Sequence, residues 1–312
     1  MRRIWQGQTI FMAWATLAAL GLAAPFVVYP VFAMNVLVMA LFASAFNLLL
    51  GYTGLLSFGH AAFLGSAAYV TGWAAKSWGL GVLPSMATGV AVATVLGLLF
   101  GMLALRRSGI YFAMITLGLA QVVYFLVVQM PWTGGEDGLQ GIPRGRLFGI
   151  VNLGDSFAMY YFTYAVFLGA FWLIQRTIDS PFGQVLRAIR ENEPRAISLG
   201  YDVQRYKLLA FVLSASLAGL AGSLKAIALQ FATLGDVAWQ RSGEVVLMTL
   251  LGGMGTVLGP SVGALLVVTM ENYLASLGSW VTVITGGVFV VMVMAFRKGV
   301  VGEIRALLQR SR

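Results

Sequence analysis

Few residues in this 312-residue chain are able to do chemistry, and their types narrow the choices at once. There is one histidine, His60, and no cysteine. Disulfides, thiolate nucleophiles, Cys-based metal sites and metal sites built from several histidines are therefore excluded. His60 sits in the run Ser57-Phe58-Gly59-His60-Ala61-Ala62-Phe63. A histidine inside an apolar segment is costly and often functional. A lone imidazole hydrogen-bonded near a helix start also serves structure alone. No chain of titratable groups lies near His60, so a proton relay has no members, and no nucleophile–base pair for an enzyme emerges. Glu244 and Glu271 flank a glycine-rich stretch at 251–260 and equally suit membrane-boundary positions. Lys225, inside an apolar run, is expected to snorkel to the outer surface. No two of these groups are spaced as an obvious ion pair. The stretch PWTGGEDGLQGI (131–142) lacks the lysine and the strand–helix context of a P-loop. It reads as tight turns, suited also to touching a partner outside. No nucleotide-binding motif occurs anywhere in the chain.

The densest chemistry lies at 176–207. Arg176, Arg187, Arg190, Arg195, Arg205 and Lys207 stand there beside Asp179, Glu191, Glu193 and Asp202. Ser180 suits a helix N-cap, with Pro181 at the first helical position. Val185, Leu186 and Ile189 then form an apolar stripe, with Arg187, Arg190 and Glu191 on the other side. Pro194 starts a second short helix with Ala196, Ile197 and Leu199 apolar, closed by Gly200. One reading is a solvated loop at the membrane interface. The other is a docking knob, favoured by the amphipathic stripe and the sharp stop.

These residues must be positioned by membrane helices. The chain is 59% hydrophobic and 10% charged, with mean hydropathy +0.86, where a soluble domain carries about 25% charged residues. Its apolar runs are continuous and about 20 residues long, which favours helices over a barrel. The net charge of +9 does not point to nucleic acid, because the basic residues sit at the ends of apolar segments. The expected spans are 10–28, 31–50, 61–78, 83–105, 110–130, 157–175, 208–231, 243–275 and 280–296. The first, preceded by Arg2 and Arg3, also resembles a signal peptide but reads as a retained helix.

Fifteen of the twenty basic residues fall in four clusters: Arg2/Arg3, Arg106/Arg107, the six of 176–207, and Arg297, Lys298, Arg305, Arg310 and Arg312. The positive-inside rule makes all four cytoplasmic and puts the 131–156 loop outside. Both termini are then cytoplasmic, which requires an even number of crossings. The 243–275 run exceeds one crossing and is interrupted by LGGMGTVLGP (251–260). It therefore holds a reversing half-helix or a separate short span. The expected fold is a single all-α polytopic membrane domain over 1–312, with about eight to ten transmembrane helices.

A second interruption, GYTGLLSFGHAAFLG, lies at 51–65. Broken helices expose backbone groups that can bind a solute where they line a cavity. The candidate path residues are Gly54, Ser57, Phe58, Gly59, His60 and Phe63, with Gly252, Gly253 and Gly255 from the other break. The spacing of Gly51, Gly54 and Gly59 loosely matches that of Gly252, Gly255 and Gly259, as an internal repeat would. Chance and close helix packing through small residues account for it as well.

Five segments carry a family resemblance: 47–72 (NLLLGYTGLLSFGHAAFLGSAAYVTG), 106–126 (RRSGIYFAMITLGLAQVVYFL), 133–143 (TGGEDGLQGIP), 182–224 (from FGQVLRAIRENEPRAISLGYD) and 250–266 (LLGGMGTVLGPSVGALL). In order, they resemble the LivM branch of the branched-chain amino acid ABC transporter permeases, from about 35 to 297. The resemblance implies a subunit of an importer in the bacterial inner membrane. Its partners would be a LivH-like second permease, two cytoplasmic ABC ATPases that use ATP-Mg, and a periplasmic substrate-binding protein. The chain itself would bind no cofactor and hydrolyse nothing. Carried onto this sequence, the family's coupling loop falls on Arg187–Gly200, with Arg187, Arg190, Glu191, Glu193, Arg195 and Gly200 as its candidate residues. Pro194 and Ser198 depart from what many relatives have there, which alters the bend. Related permeases import urea, short amides or other amino acids, so the solute stays open. A self-contained channel or secondary carrier is the reading from another class.

Overall fold

Within a bilayer an apolar run satisfies its backbone by coiling into an α-helix, and the computed structural model of this chain is built from such helices. It describes residues 21–147, 149, 151–278, 280–295 and 299–303. Most of the 10–28 span and the basic clusters at both ends lie outside the described residues. Residues 21–27 are helical. Next come α1 (Pro30–Thr53), α2 (His60–Ser77), α3 (Val82–Ala104), α4 (Ile110–Gln129) and α5 (Ser156–Asp179). Two short helices, α6 (Pro181–Glu191) and α7 (Glu193–Ser198), lead into the long α8 (Val203–Leu229). A single turn, α9 (Leu234–Val237), precedes α10 (Trp239–Gly252), α11 (Gly259–Leu274) and α12 (Trp280–Ala295). Five helices, α1, α3, α4, α5 and α8, are long and apolar enough to cross a membrane by themselves. The chain is an all-α, multi-pass membrane protein.

The centre is α8 packed against α1, α2 and α3. Small residues make the approach close. Ala215, Ala218, Ala221 and Gly222 of α8 are buried, as are Ala67 of α2 and Ala93 of α3. Gly222 lies against the Leu64 carbonyl with no room for a side chain. Inside this interface Thr71 donates to the Ser223 hydroxyl at 2.8 Å. Among the long helices, α1 is the most enclosed.

The 243–275 run resolves into two helices. Gly252 meets the backbone of Gly259, and Gly263 meets that of Met248, so α10 and α11 lie side by side and antiparallel. The interruption at 251–260 thus separates two short antiparallel helices. With 14 residues, α10 is about 21 Å long, less than the usual hydrocarbon thickness. After α12 the chain returns to where α10 and α11 meet. A Cβ on Gly299 would fall 2.6 Å from the Gly253 nitrogen.

At the opposite end, the 131–156 loop is fastened down. Strand β1 (Leu139–Gln140) pairs antiparallel with β4 (Phe231–Ala232), just after α8. The hairpin β2–β3 joins Arg146–Leu147 to Val151–Asn152. Lys76 donates to the Gln140 carbonyl at 3.0 Å, and Arg144 to the Ala228 carbonyl at 2.7 Å. Burial draws the Arg144 guanidinium pKa down from its ordinary value, and Asp155 opposes this.

Candidate functional site: the loop helices and the two breaks

The local signals at 180–200 are read by the fold much as the sequence suggests. Ser180 Oγ accepts from the Gly183 N–H at 3.4 Å, with Pro181 in the first turn of α6. The second helix starts one residue before Pro194. Its cap is Asn192, whose side chain accepts from the Arg195 N–H at 3.0 Å. Leu186 anchors α6 in the main core. Ile189, Ala196 and Val203 make a small core of their own with Val185 and Tyr206, tying α6, α7 and the start of α8 together. Lys207 braces the bend through Glu193 at 2.6 Å. Gly200 turns the chain at φ +87°. Ile197 and Leu199 are left facing outward, 58% and 68% exposed, with Tyr201 beside them.

The predicted loop residues divide by direction. Arg187 and Arg190 turn back onto the helix bundle. Arg187 lies over the Tyr52 ring, 5.4 Å from its centroid, and donates to the Ile178 carbonyl. Arg190 donates to the carbonyl of Gly51, and its side chain also borders Gly54 and Gly255. Glu193 is taken by Lys207. Glu191 and Arg195 are exposed.

The two glycine-rich breaks, far apart in sequence, meet at Arg190. A Cβ on Gly51 would lie 2.8 Å from the Gly255 nitrogen. Asn47, buried on α1, ties that helix to the second break with both ends of its amide. Its nitrogen donates to the Thr256 carbonyl at 2.9 Å, and its oxygen accepts from the Gly255 N–H at 2.9 Å. Gly255 has φ +77° and Gly54 φ +77°, conformations that side chains disfavour. Sequence reasoning missed Asn47. Its signal is an amide in an apolar helix, one turn before a glycine. Asn47→Ala would remove two hydrogen bonds to half-buried backbone groups and cost about 1 kcal/mol or more, expected as a lowered Tm of the purified protein.

In the first break several backbone donors are taken by side chains. Leu55 N–H reaches Thr53 Oγ1 and Phe58 N–H reaches Thr116 Oγ1. Gly59 N–H reaches Ser57 Oγ, and Ala61 N–H reaches Ser242 Oγ. His60 and Phe63 are fully buried. The imidazole Nε2 is 2.8 Å from Ser214 Oγ, which donates to the Ala45 carbonyl. The ring makes edge contacts with Phe46, Phe63 and Phe211. Ser57 and Gly59 are buried, Phe58 half-buried, and Gly54 exposed beside Arg190. His60 and Phe63 are thus packed between helices of this chain. In the second break, Gly252 and Gly253 are buried where α10 meets α11, and Gly255 is half-buried. Lys225 does not snorkel. It is enclosed and paired with Asp236.

A family model described as branched-chain amino acid transport system / permease component matches residues 30–295. The high-affinity branched-chain amino acid transport system permease protein LivM of Escherichia coli is 30% identical over 80% of this chain and 64% of its own length. LivM of Salmonella typhimurium gives the same figures. The Autoinducer 2 import system permease protein LsrC of Salmonella typhi is 30% identical over 74% of this chain and 68% of its own. The chain thus aligns with just under two thirds of the length of the LivM proteins. No solved structure matches it.

Proposed function

Since this chain belongs to the branched-chain amino acid transport system permease family, we propose that it is one of two permeases of an ATP-driven importer of branched-chain amino acids. A similar second permease completes the translocation path. Two cytoplasmic ABC ATPases supply the energy, one of them docking on the α6–α7 loop, and a binding protein delivers the solute at the opposite, outer end. The termini lie on the ATPase side.

The observation that carries this reading is the loop's division of labour. Outside the bundle, Ile197 and Leu199 stand exposed on an otherwise charged loop. Apolar side chains at the centre of an interface contribute most of its affinity, and nothing else among the described residues covers them. Inward, Arg190 grips the meeting point of both breaks. A force on the loop therefore reaches α1 through Gly51, and α10 and α11 through Gly255. The breaks act as joints: glycine-rich backbone at the ends of rigid helices absorbs the rotation that switches the path between its two faces.

Amino acids are the favoured solute because the LivM proteins align over a larger share of the chain than LsrC does. The test is uptake by the assembled importer in vesicles, with labelled leucine and with a sugar-like solute as competitor. ATP-dependent accumulation of leucine supports the reading. Uptake by this chain alone under an ion gradient contradicts it.

A further inference from the structure

Two ion pairs stand near the outer end of α8–α11, and they differ. Lys225 and Asp236 are enclosed, with side chains 5% and 0% exposed. Asp236 is further occupied by the Thr233 N–H and hydroxyl. That pair is closed on itself and ties α9 to α8. Arg241 and Glu244, 2.5 Å apart on α10, remain 22% and 32% exposed at the surface of the chain. Arg241 Nε has no hydrogen-bond partner among the described residues although it is buried. Glu271 on α11 is half-buried and feels the charges of both. It has no hydrogen bond or salt bridge among the described residues.

Depth follows from helix rise. Thr249 touches the Ala43 carbonyl, and Ser261 touches Ser44. At about 1.5 Å per residue, Arg241 lies about 12 Å beyond Thr249, and Glu271 about 15 Å beyond Ser261. Both reach the same level, about 24 Å from Gly51 along α1. Trp239 and Tyr273, both exposed, come just beyond them and suit the outer interface. The trio lies within about two turns of that boundary, inside it.

Other faces of the chain carry no such groups. The segments 82–104, 110–129 and 156–175 hold no charged residue. Their exposed side chains include Leu98, Leu99, Val122, Phe125 and Leu173, which suit lipid. Charged groups within a membrane face a protein interior or a water-filled cavity. The open side of α10 and α11 therefore suits a face turned away from lipid.

We propose that Arg241, Glu244 and Glu271 line the outer mouth of the translocation path and receive the two charged ends of a zwitterionic amino acid. This rests on the importer reading above. Arg241, whose charged side chain stays 22% exposed, takes the carboxylate. Glu271, with no partner among the described residues, takes the ammonium. Glu244 holds the Arg241 fork in place as a positioning residue. The fixed separation of opposite charges on two antiparallel helices selects solutes bearing both.

The absence of cysteine makes the test direct. Glu244→Cys and Glu271→Cys each give the chain a single thiol, and Val122→Cys on α4 is the lipid-facing control. The complete importer is placed in vesicles and a membrane-impermeant thiosulfonate is added from the outer side. The expected result is modification at 244 and 271, slowed by solute-loaded binding protein, with position 122 unreactive. Separately, Glu271→Gln in the assembled complex is expected to lower leucine uptake by about tenfold, the effect of removing one charge-assisted hydrogen bond, with Glu271→Asp restoring part of it. Unreactive thiols at both positions overturn the placement. Wild-type uptake by Glu271→Gln overturns the ligand role. A wild-type importer that carries no amino acid overturns the functional reading and the ligand named here, while thiol reactivity still decides whether the trio lines the path.

Discussion

Arg190→Gln is expected to leave the importer assembled and to disconnect it. The ATPases still bind, because Ile197 and Leu199 are untouched, but leucine uptake per ATP hydrolysed falls at least about tenfold. The magnitude follows from the hydrogen bond that the substitution removes. A charged donor on a carbonyl is worth about 1.5–3 kcal/mol, and about 1.4 kcal/mol is a factor of ten in an equilibrium. Arg190 is the side chain that joins the loop to Gly51, Gly54 and Gly255 together. Arg187 reaches the bundle separately through the Tyr52 ring, so some transmission remains and uptake does not vanish. Glutamine keeps a donor but is too short to span from α6 to both breaks. Arg190→Lys is the informative companion. A lysine reaches one carbonyl as a point charge but lacks the fork, so its uptake lies between the two. Equal coupling ratios for Arg190→Gln and wild type, measured in the same vesicles, would remove Arg190 from the coupling route.

Ile197→Asp with Leu199→Asp acts at the other face of the loop and has the larger effect on assembly. Each side chain, if buried in a partner cleft, contributes about 1.5–3 kcal/mol. Losing both weakens binding by about a hundredfold to ten-thousandfold, before the cost of burying two carboxylates is added. The double variant therefore membrane-inserts normally and co-purifies no ATPase. Folding is not at risk, because both positions are exposed and the small core of Ile189, Ala196 and Val203 is intact. Retention of stoichiometric ATPase by this variant would show that the loop's apolar edge is not the docking surface.

The contrast between these two faces of one loop marks how far the sequence can be read. The caps and the bend of α6 and α7 are legible, because Ser180, Pro181, Pro194 and Gly200 act on their nearest neighbours. The apolar stripe of Val185, Leu186 and Ile189 is legible for the same reason. That Arg190 points inward is not. Its target, Gly51, is 139 residues away, and no local pattern records such a pairing. Glycine-rich breaks at 51–65 and 251–260 are visible as interruptions of apolar runs. Their meeting beside Asn47 depends on α10 and α11 packing on α1. That backbone donors of the first break meet Thr116 and Ser242, from two distant helices, is also recorded by no local pattern. His60 likewise has its partner on α8, 154 residues away.

Lys225 shows a different kind of limit. Lysine near a helix end usually extends its stem toward water. Here the chain reverses through β4 and α9, bringing Asp236, 11 residues on, against the ammonium. That spacing matches no helical neighbour rule, so only the tertiary turn creates the pair. The Arg241–Glu244 pair, by contrast, is an i,i+3 helical pair. It comes within reach of sequence reasoning once α10 is known to start at Trp239.

The central claim is that the α6–α7 loop enters the ATPase and that its movement passes through Arg190. With no other thiol in the chain, Leu199→Cys offers one reactive position at the loop's edge. The decisive measurement is cross-linking from Leu199→Cys to the co-expressed ATPase with a short thiol reagent, against Asn152→Cys in the β2–β3 hairpin. The expected result is an ATPase adduct from position 199 whose yield changes between nucleotide-free and ATP-bound complexes, and none from position 152. Adducts from 152, or none from 199 in a complex that transports, would contradict it.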